Sequence, residues 1–457
     1  MKTGTVLLTL LLLSLVTSFV GHSQTPLELL NTFTLPGSPS RYFLDGDGVL
    51  LCTVQGSGLT SFATSKFGLY YVNASGNYSV LNASLLSGAY PVIFDNSSVY
   101  VSVLTFAPIL LPNTSAFEDS SDVLVVSGGS VVRNQTFSSP TVAYPTGDQV
   151  VYIRYDVVLT SPFQSLGSNA SLGSSVSKYV VVTDRGDFTV YNLIQLQEVG
   201  EDFLVLNGSA GGLRLPQVPG ALNLRGYSPQ NLTAFLLSGD LTSVLWERHF
   251  QGYLSGVAFG DYLAVSNGSS TLVLDSLSGK TLMEVPLGGV VGVVDATGGG
   301  ALLYLQSPDL SMVRLLFLNL TDHSYRYLTS LRGQVVSSGE AGGVAFVSVE
   351  GVGSGPRVSL VLMNGSGHAL GVYNFTGSNV TALYTGEYVY AVGFGSSSTV
   401  VQVFQVGNAT HPSAPGTGSE SGGTSSAQNV LGPVIALAVV VGVSSLAFYF
   451  VVKRRHR

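Results

Sequence analysis

Within residues 252–288 the chain reads Y-L-S-G-V-A-F-G-D, then Y-L-A-V-S-N-G-S-S, then T-L-V-L-D-S-L-S-G, then K-T-L-M-E-V-P-L-G. Four short apolar runs, each closed by Gly, Asn, Asp or Ser, describe a four-stranded antiparallel meander. A lone meander cannot bury its faces, so it must stack on copies of itself. The rest of the chain supplies the copies. With this template, blades fall at 41–85, 89–137, 141–194, 195–250, 290–331 and 334–375. Beyond them, V-T-A-L-Y, Y-V-Y-A-V-G-F and T-V-V-Q-V-F-Q-V end at Val406, one strand short of a blade. At the other end, L-E-L-L-N-T-F-T-L (27–35) precedes the first blade and has no partner of its own. Pairing the orphan strand with the incomplete blade removes the open edge of the ring. The expectation is an all-β, eight-bladed β-propeller whose N-terminal strand closes the last blade, with seven blades as the alternative. Four tandem β-sandwiches are the competing fold, but they would need Pro/Gly linkers near every hundredth residue.

The stretch 272–284, L-V-L-D-S-L-S-G-K-T-L-M-E, resembles the quinoprotein-type (PQQ-like) β-propeller repeat, with consensus A-L-D-x-x-T-G-K-x-x-W. Asp275, Gly279 and Lys280 match consensus positions. Ser278 stands where Thr is usual, and Met283 where the docking Trp is usual. The resemblance implies the propeller fold. With Met283 in the Trp position, no quinone cofactor is expected, and no other cofactor or metal is.

The two ends read as targeting segments. Met1-Lys2 followed by the apolar run 6–20, with Gly21 and Ser23 before Gln24, reads as a secretory signal over 1–23. Residues 430–452 hold no charge, long enough for a transmembrane helix, and Lys453-Arg454-Arg455-His456-Arg457 follows. Basic flanks stay on the cytoplasmic side, which places residues 24–406 outside as a type I ectodomain. Residues 407–429, rich in Ser, Gly, Thr and Pro, read as a flexible stalk.

Asn-x-Ser/Thr sequons start at Asn73, Asn77, Asn82, Asn96, Asn113, Asn134, Asn169, Asn207, Asn231, Asn267, Asn319, Asn364, Asn374, Asn379 and Asn408, 15 of the 19 Asn. Chance would supply roughly four. All lie between signal and span, so a heavily N-glycosylated ectodomain is expected. The single cysteine, Cys52, excludes an internal disulfide. Dense sequons without disulfides fit an archaeal cell surface better than an animal receptor. Only 10% of residues are charged, against about 25% in ordinary domains. Between residues 24 and 429 there are 26 acidic and 14 basic side chains, a net −12 that argues against nucleic acid.

Catalytic motifs are scarce. Only His249, His323 and His368 lie in the blades, and H-E-x-x-H, G-x-S-x-G and G-x-x-x-x-G-K-[ST] do not occur. One cysteine cannot build a thiolate metal cluster. Asp45-Gly46-Asp47-Gly48 reads as a hairpin turn rather than a calcium loop. Arg185-Gly186-Asp187 spells an adhesion tripeptide but sits between two strands, again as a turn. Glu198, Glu201 and Asp202 cluster near another turn and read as a solvated loop.

The second-to-third strand connections of blades 1–4 read as long loops, all on one face of a propeller, and long loops are where function concentrates. They carry the partner-binding candidates Ile109, Leu110, Leu111, Phe117, Phe163, Leu213, Leu215 and Tyr227. Two functions stay open: a surface module that binds a protein, glycan or envelope partner, and a surface hydrolase using carboxylates at the propeller funnel.

Overall fold

The computed structural model describes residues 27–406 apart from short stretches, the longest being 56–64, 160–174 and 209–229. The described chain is all β. It forms eight four-stranded antiparallel sheets, seven of them consecutive meanders over 38–85, 87–137, 141–191, 193–253, 255–285, 290–332 and 334–376. The eighth combines three strands over 380–406 with Leu27–Pro36 as its outer strand. This is the eight-bladed ring closed by the N-terminal strand, so the seven-blade count and the tandem sandwiches do not apply. The expected signal (1–23), the stalk (407–429), the span (430–452) and the basic tail lie outside the described residues.

First strands of neighbouring blades pack on one another around the ring, which puts them innermost. The apolar core is a set of layers between blades rather than one central mass. Second and third strands are buried on both sides: Leu303, Leu305, Leu316 and Leu318 are fully enclosed between blades 5 and 6. That explains their nearly continuous apolar runs. Outer strands alternate, with one face toward solvent. Cys52 is buried in the layer between blades 1 and 2.

An innermost strand has one edge without a strand partner, and at most joints a polar side chain meets that need. Ala143 N–H donates to Ser102 Oγ (3.2 Å), Leu196 N–H to Tyr144 Oη (3.2 Å), and Val291 N–H to Ser255 Oγ (2.8 Å). Val335 N–H donates to Gln306 Oε1 (2.9 Å) and Ala382 N–H to Ser348 Oγ (3.3 Å). The Gln195 amide bonds both backbone groups of Ala258. Tyr42 Oη closes blade 1 on the end of the ring, donating to Val336 O (2.7 Å) and meeting Thr381 Oγ1 (3.0 Å). Between blades 1 and 2, the Asp45 carboxylate accepts from Gly128 and Gly129 N–H at 3.3 and 3.2 Å. Burial pushes that carboxyl up from its ordinary range, against the two amide donors. The D-G-D-G stretch is thus a hairpin turn with an inter-blade role.

Antiparallel blades send the turns after their first and third strands to one face, here the turn face. The connections after their second strands go to the opposite, loop face. The blade 2 connection differs from its sequence reading. Ser98–Leu111 and Thr114–Ser127 stay paired to the tip, with Ile109 opposite Ala116 and Leu111 opposite Thr114. The first strand pairs only as far as Thr105, and the outer strand pairs with the third only from Ser121 onward. Residues 106–111 and 114–119 therefore form a two-stranded ladder beyond the sheet, about 20 Å long at 3.3 Å per residue. Pro108 is tolerated because neither strand there has an outer neighbour.

Candidate functional site

The structure brings together two stretches that the sequence left apart. Arg185 sits in the turn between Ser175–Thr183 and Gly186–Tyr191 of blade 3. Thr183 Oγ1 shapes that turn, donating to Gly186 O (2.8 Å) and accepting from Arg185 N–H (3.1 Å). The Arg185 guanidinium reaches into blade 4. Nη2 bonds Glu198 Oε1 at 2.6 Å, Nη1 bonds the Glu201 carbonyl, and the group lies 5.4 Å from the Phe203 ring centre. The cation of the R-G-D tripeptide is consumed in holding two blades together, which agrees with its reading as a turn.

Beside it is an open groove of about 610 Å³ lined by Arg185, Glu201, Ser238, Gly239, Asp240 and Ser243. Asp202 Oδ1 fixes its wall by accepting Gly239 N–H at 2.8 Å. Its floor is the turn S-G-D-L-T-S. Asp240 Oδ1 accepts from Ser238 Oγ (2.6 Å), Thr242 N–H (3.1 Å) and Thr242 Oγ1 (2.8 Å). These donors, the Ser238 hydroxyl first, hold the Asp240 carboxyl below its ordinary range. Leu241 takes a left-handed conformation, φ 61°. A serine beside a carboxylate with no histidine is not a nucleophile–base pair. Among the described residues no His, Cys, Asp and Glu cluster could hold a metal. The groove is lined by charged, hydroxyl and glycine residues.

The same turn recurs in blade 6 as S-P-D-L-S, with Leu310 at φ 61°. Both copies are visible in the sequence as S-x-D-L-[ST], at 238–242 and 307–311. Asp309 Oδ1 accepts from Ser311 N–H (3.2 Å) and Ser311 Oγ (2.8 Å). The Ser307 and Ser311 hydroxyls bring its carboxyl down to about 2. A depressed carboxyl supports the fold above its unfolded value, about 3.9, and loses that support as pH falls through the folded one. Asp309→Asn is therefore expected to melt below the parent at neutral pH, with the gap closing as pH approaches about 2. A gap independent of pH would show that charge does not hold the turn.

The repeat-like turn of blade 5 is built as its residue pattern requires. Asp275 Oδ1 accepts Ser278 N–H (2.6 Å) and Ser278 Oγ (2.5 Å), and Gly279 has φ 66°. The chain's one tryptophan, Trp246 on the outer strand of blade 4, lies over this turn. Its Nε1 donates to Ser276 O at 2.9 Å, and a Cβ on Gly279 would stand 2.7 Å from the indole. Arg248 Nη1 adds a bond to Gly279 O (2.9 Å). The aromatic dock thus comes from the preceding blade, while Met283 is buried between blades 5 and 6.

Of the candidates chosen from sequence, Ile109, Leu110, Leu111 and Phe117 lie on the projecting hairpin of the loop face. Phe163, Leu213, Leu215 and Tyr227 lie outside the described residues, as do the sequons at Asn96, Asn113, Asn169, Asn379 and Asn408. At the first turn of blade 7, Glu340 Oε1 accepts Gly343 N–H at 2.5 Å. Asp95 and Asp148 lie outside the described residues.

No protein-family model and no curated protein matches the chain. Solved structures similar to it are β-propellers or contain them. BamB from Moraxella catarrhalis is 12% identical, over 84% of this chain and 99% of that one, with a TM-score of 0.44. The β-propeller domain of the Trilobed protease from Pyrococcus furiosus, described as having an open velcro topology, is 11% identical over 71% and 99%, TM-score 0.41. The WD40 domain of Toxoplasma gondii coronin is 9% identical over 85% and 90%, TM-score 0.36. These likenesses concern fold alone.

Proposed function

We propose that this chain is a cell-surface glycoprotein: a PQQ-like propeller that binds a protein or glycan partner outside the cell, carried on a stalk (407–429) above a single span (430–452). The observation that carries the reading is where the sequons fall. Asn77, Asn134, Asn231 and Asn374 are exposed, Asn73, Asn207, Asn267, Asn319 and Asn364 are half-exposed, and no described sequon asparagine is buried. A glycan can be attached only to an asparagine that reaches solvent, and each of these nine does. At Asn73, Asn267 and Asn364, Oδ1 accepts from the sequon's own Ser hydroxyl, at 2.8, 3.0 and 2.9 Å. Those bonds use the oxygen and leave the amide nitrogen, the atom a glycan would occupy, outside them.

The Asp275–Gly279 turn under Trp246 supports the PQQ-like repeat, and one buried cysteine among so many sequons supports an archaeal surface. The hairpin bearing Ile109, Leu110, Leu111 and Phe117 is a contact element for the partner on the loop face. Glycopeptide mapping of protein from its host is expected to find glycans on the nine asparagines named above. Protease treatment of intact cells should release the propeller by cutting within 407–429. Unmodified asparagines, or a basic tail reachable from outside, would overturn the reading.

A further inference from the structure

The sequons are unevenly placed between the two faces. On the turn face they belong to blades 1, 2, 6 and 7: Asn73, Asn319 and Asn364 at turns after third strands, and Asn96 in a connection outside the described residues. Outer strands carry them on the same side of the ring: Asn77 and Asn82 in blade 1, Asn134 in blade 2, and Asn374 in blade 7. Blades 3, 4 and 5 have none on the turn face or on an outer strand. Blade 8 is the other bare blade, isolated between glycan-bearing neighbours. Blades 3 to 5 do not lack sequons: Asn207, Asn231 and Asn267 sit toward their loop face, and Asn169 falls between the second and third strands of blade 3, outside the described residues.

The bare sector is also where apolar side chains stand out. Val244 and Leu245, at the start of the outer strand Val244–Tyr253, are 51% and 52% exposed, and Leu277 in the next blade's turn is 51% exposed. The Trp246–Ser276 bond holds the two sites together, one residue from Leu245 and one from Leu277. Ser243, the last residue of the groove, adjoins Val244. Among the described residues no strand pairs with the outer edge of this strand, which leaves that edge open to strand addition. Exposed acids surround the patch: Asp184, Asp187, Glu201, Asp240 and Glu247. Arg185 is paired with Glu198, and Lys280 is the exposed cation beyond Leu277.

We infer that the turn face of blades 3–5, from the Arg185–Asp240 groove to Val244, Leu245 and Leu277, is a second docking surface. Its occupant is an extended protein segment in which Lys or Arg alternates with aliphatic residues. The aliphatic side chains cover the apolar patch, the basic ones meet the acidic rim, and glycans are kept away so that a chain can approach. The inference rests on the glycoprotein reading above, since bare and covered sectors have meaning only if the sequons are used.

Trp246 is the only tryptophan, so its fluorescence reports this patch without background. The glycosylated full-length protein, in an uncharged detergent, is titrated with an acetylated, amidated (Lys-Leu)₄ peptide and with its (Glu-Leu)₄ counterpart. A saturable change in Trp246 emission is expected with the first alone. It should weaken as salt rises and fall roughly tenfold in affinity for Leu245→Ser, and likewise for Glu201→Gln combined with Asp184→Asn. No saturable change, an equal response to the acidic peptide, or full binding by these variants overturns the proposal. So does an emission change that depends on protein concentration without peptide, which would mean self-association. Glycan map and titration are separate readouts: a full map without binding overturns this surface alone, whereas bare asparagines overturn the reading beneath it.

Discussion

A chain lacking Leu27–Pro36 is expected to lose most of its folding stability and to become an open, protease-sensitive ring. The strand pairs with Ser398–Val406 along its length, from Leu27 opposite Val406 to Pro36 opposite Ser398, with one irregularity between Leu29 and Asn31. Leu35 is 2% exposed, and Leu27 and Phe33 pack against the layers of blades 7, 8 and 1. Asn31 Nδ2 donates to Ala74 O at 2.6 Å, tying the strand to a blade 1 turn, and Thr399 Oγ1 donates to Gly37 O at 2.8 Å. Losing a buried Leu costs about 2–5 kcal/mol, and each ladder hydrogen bond about 0.5–1.5. The sum is on the order of a whole domain's 5–15 kcal/mol. Removal would also bare the edge of Ser398–Val406, a template for aggregation. Thermal melting and limited proteolysis check this, with Leu30→Ser as the near-neutral control. An unchanged melt on deletion would mean that the strand does not close the ring.

The second large effect is expected from one amide. Gln306 is fully buried, and its Nε2 donates to Met312 O and Gly333 O, both at 3.1 Å, while Oε1 accepts Val335 N–H at 2.9 Å. Gln306→Leu has similar bulk and no polar atoms. Met312 O keeps its bond from Ser307 N–H, but Val335 N–H and Gly333 O lose the partner that Gln306 provides. Each buried group left without a partner costs about 1–3 kcal/mol, so the loss is roughly 2–6 kcal/mol. Gln306→Glu is the diagnostic variant. At neutral pH it aims a carboxylate oxygen at carbonyl oxygens and should be as damaging. Burial raises the carboxyl's folded pKa above its unfolded value, so the variant should regain stability as pH falls and the protonated group donates again. A Gln306→Leu protein that melts like its parent would mean the amide does not hold blades 6 and 7 together.

The blade template was legible because its signals are local. Runs such as Y-L-A-V-S and T-L-V-L-D carry strand period and turn residues within a few positions, and backbone sterics act at that range. The closing strand was legible as a count: one strand too many at the start, one too few at the end. The polar joints were not. Ser102 in V-Y-V-S-V-L and Gln306 after A-L-L-Y-L look like ordinary strand residues, and their partners lie 41 and 29 residues away. Trp246 was overlooked for the same reason. The consensus placed the aromatic within the blade 5 repeat, whereas the residue that covers Gly279 comes from blade 4.

The sequence alone determined the class of fold and pointed to a ring of eight or seven blades closed by its first strand, because apolar period and turn chemistry are properties of short segments. Only the tertiary structure decided which residues form a surface. It joined Arg185 to Glu198 across a blade joint, used up the cation of the R-G-D tripeptide, and extended an expected loop into the paired ladder of 106–111 and 114–119. It also sorted the sequons onto two faces and left the turn face of blades 3–5 without one beside Val244, Leu245 and Leu277. The physical reason is that a face of a propeller is assembled from turns some forty to sixty residues apart, set side by side by backbone pairing within blades and burial between them.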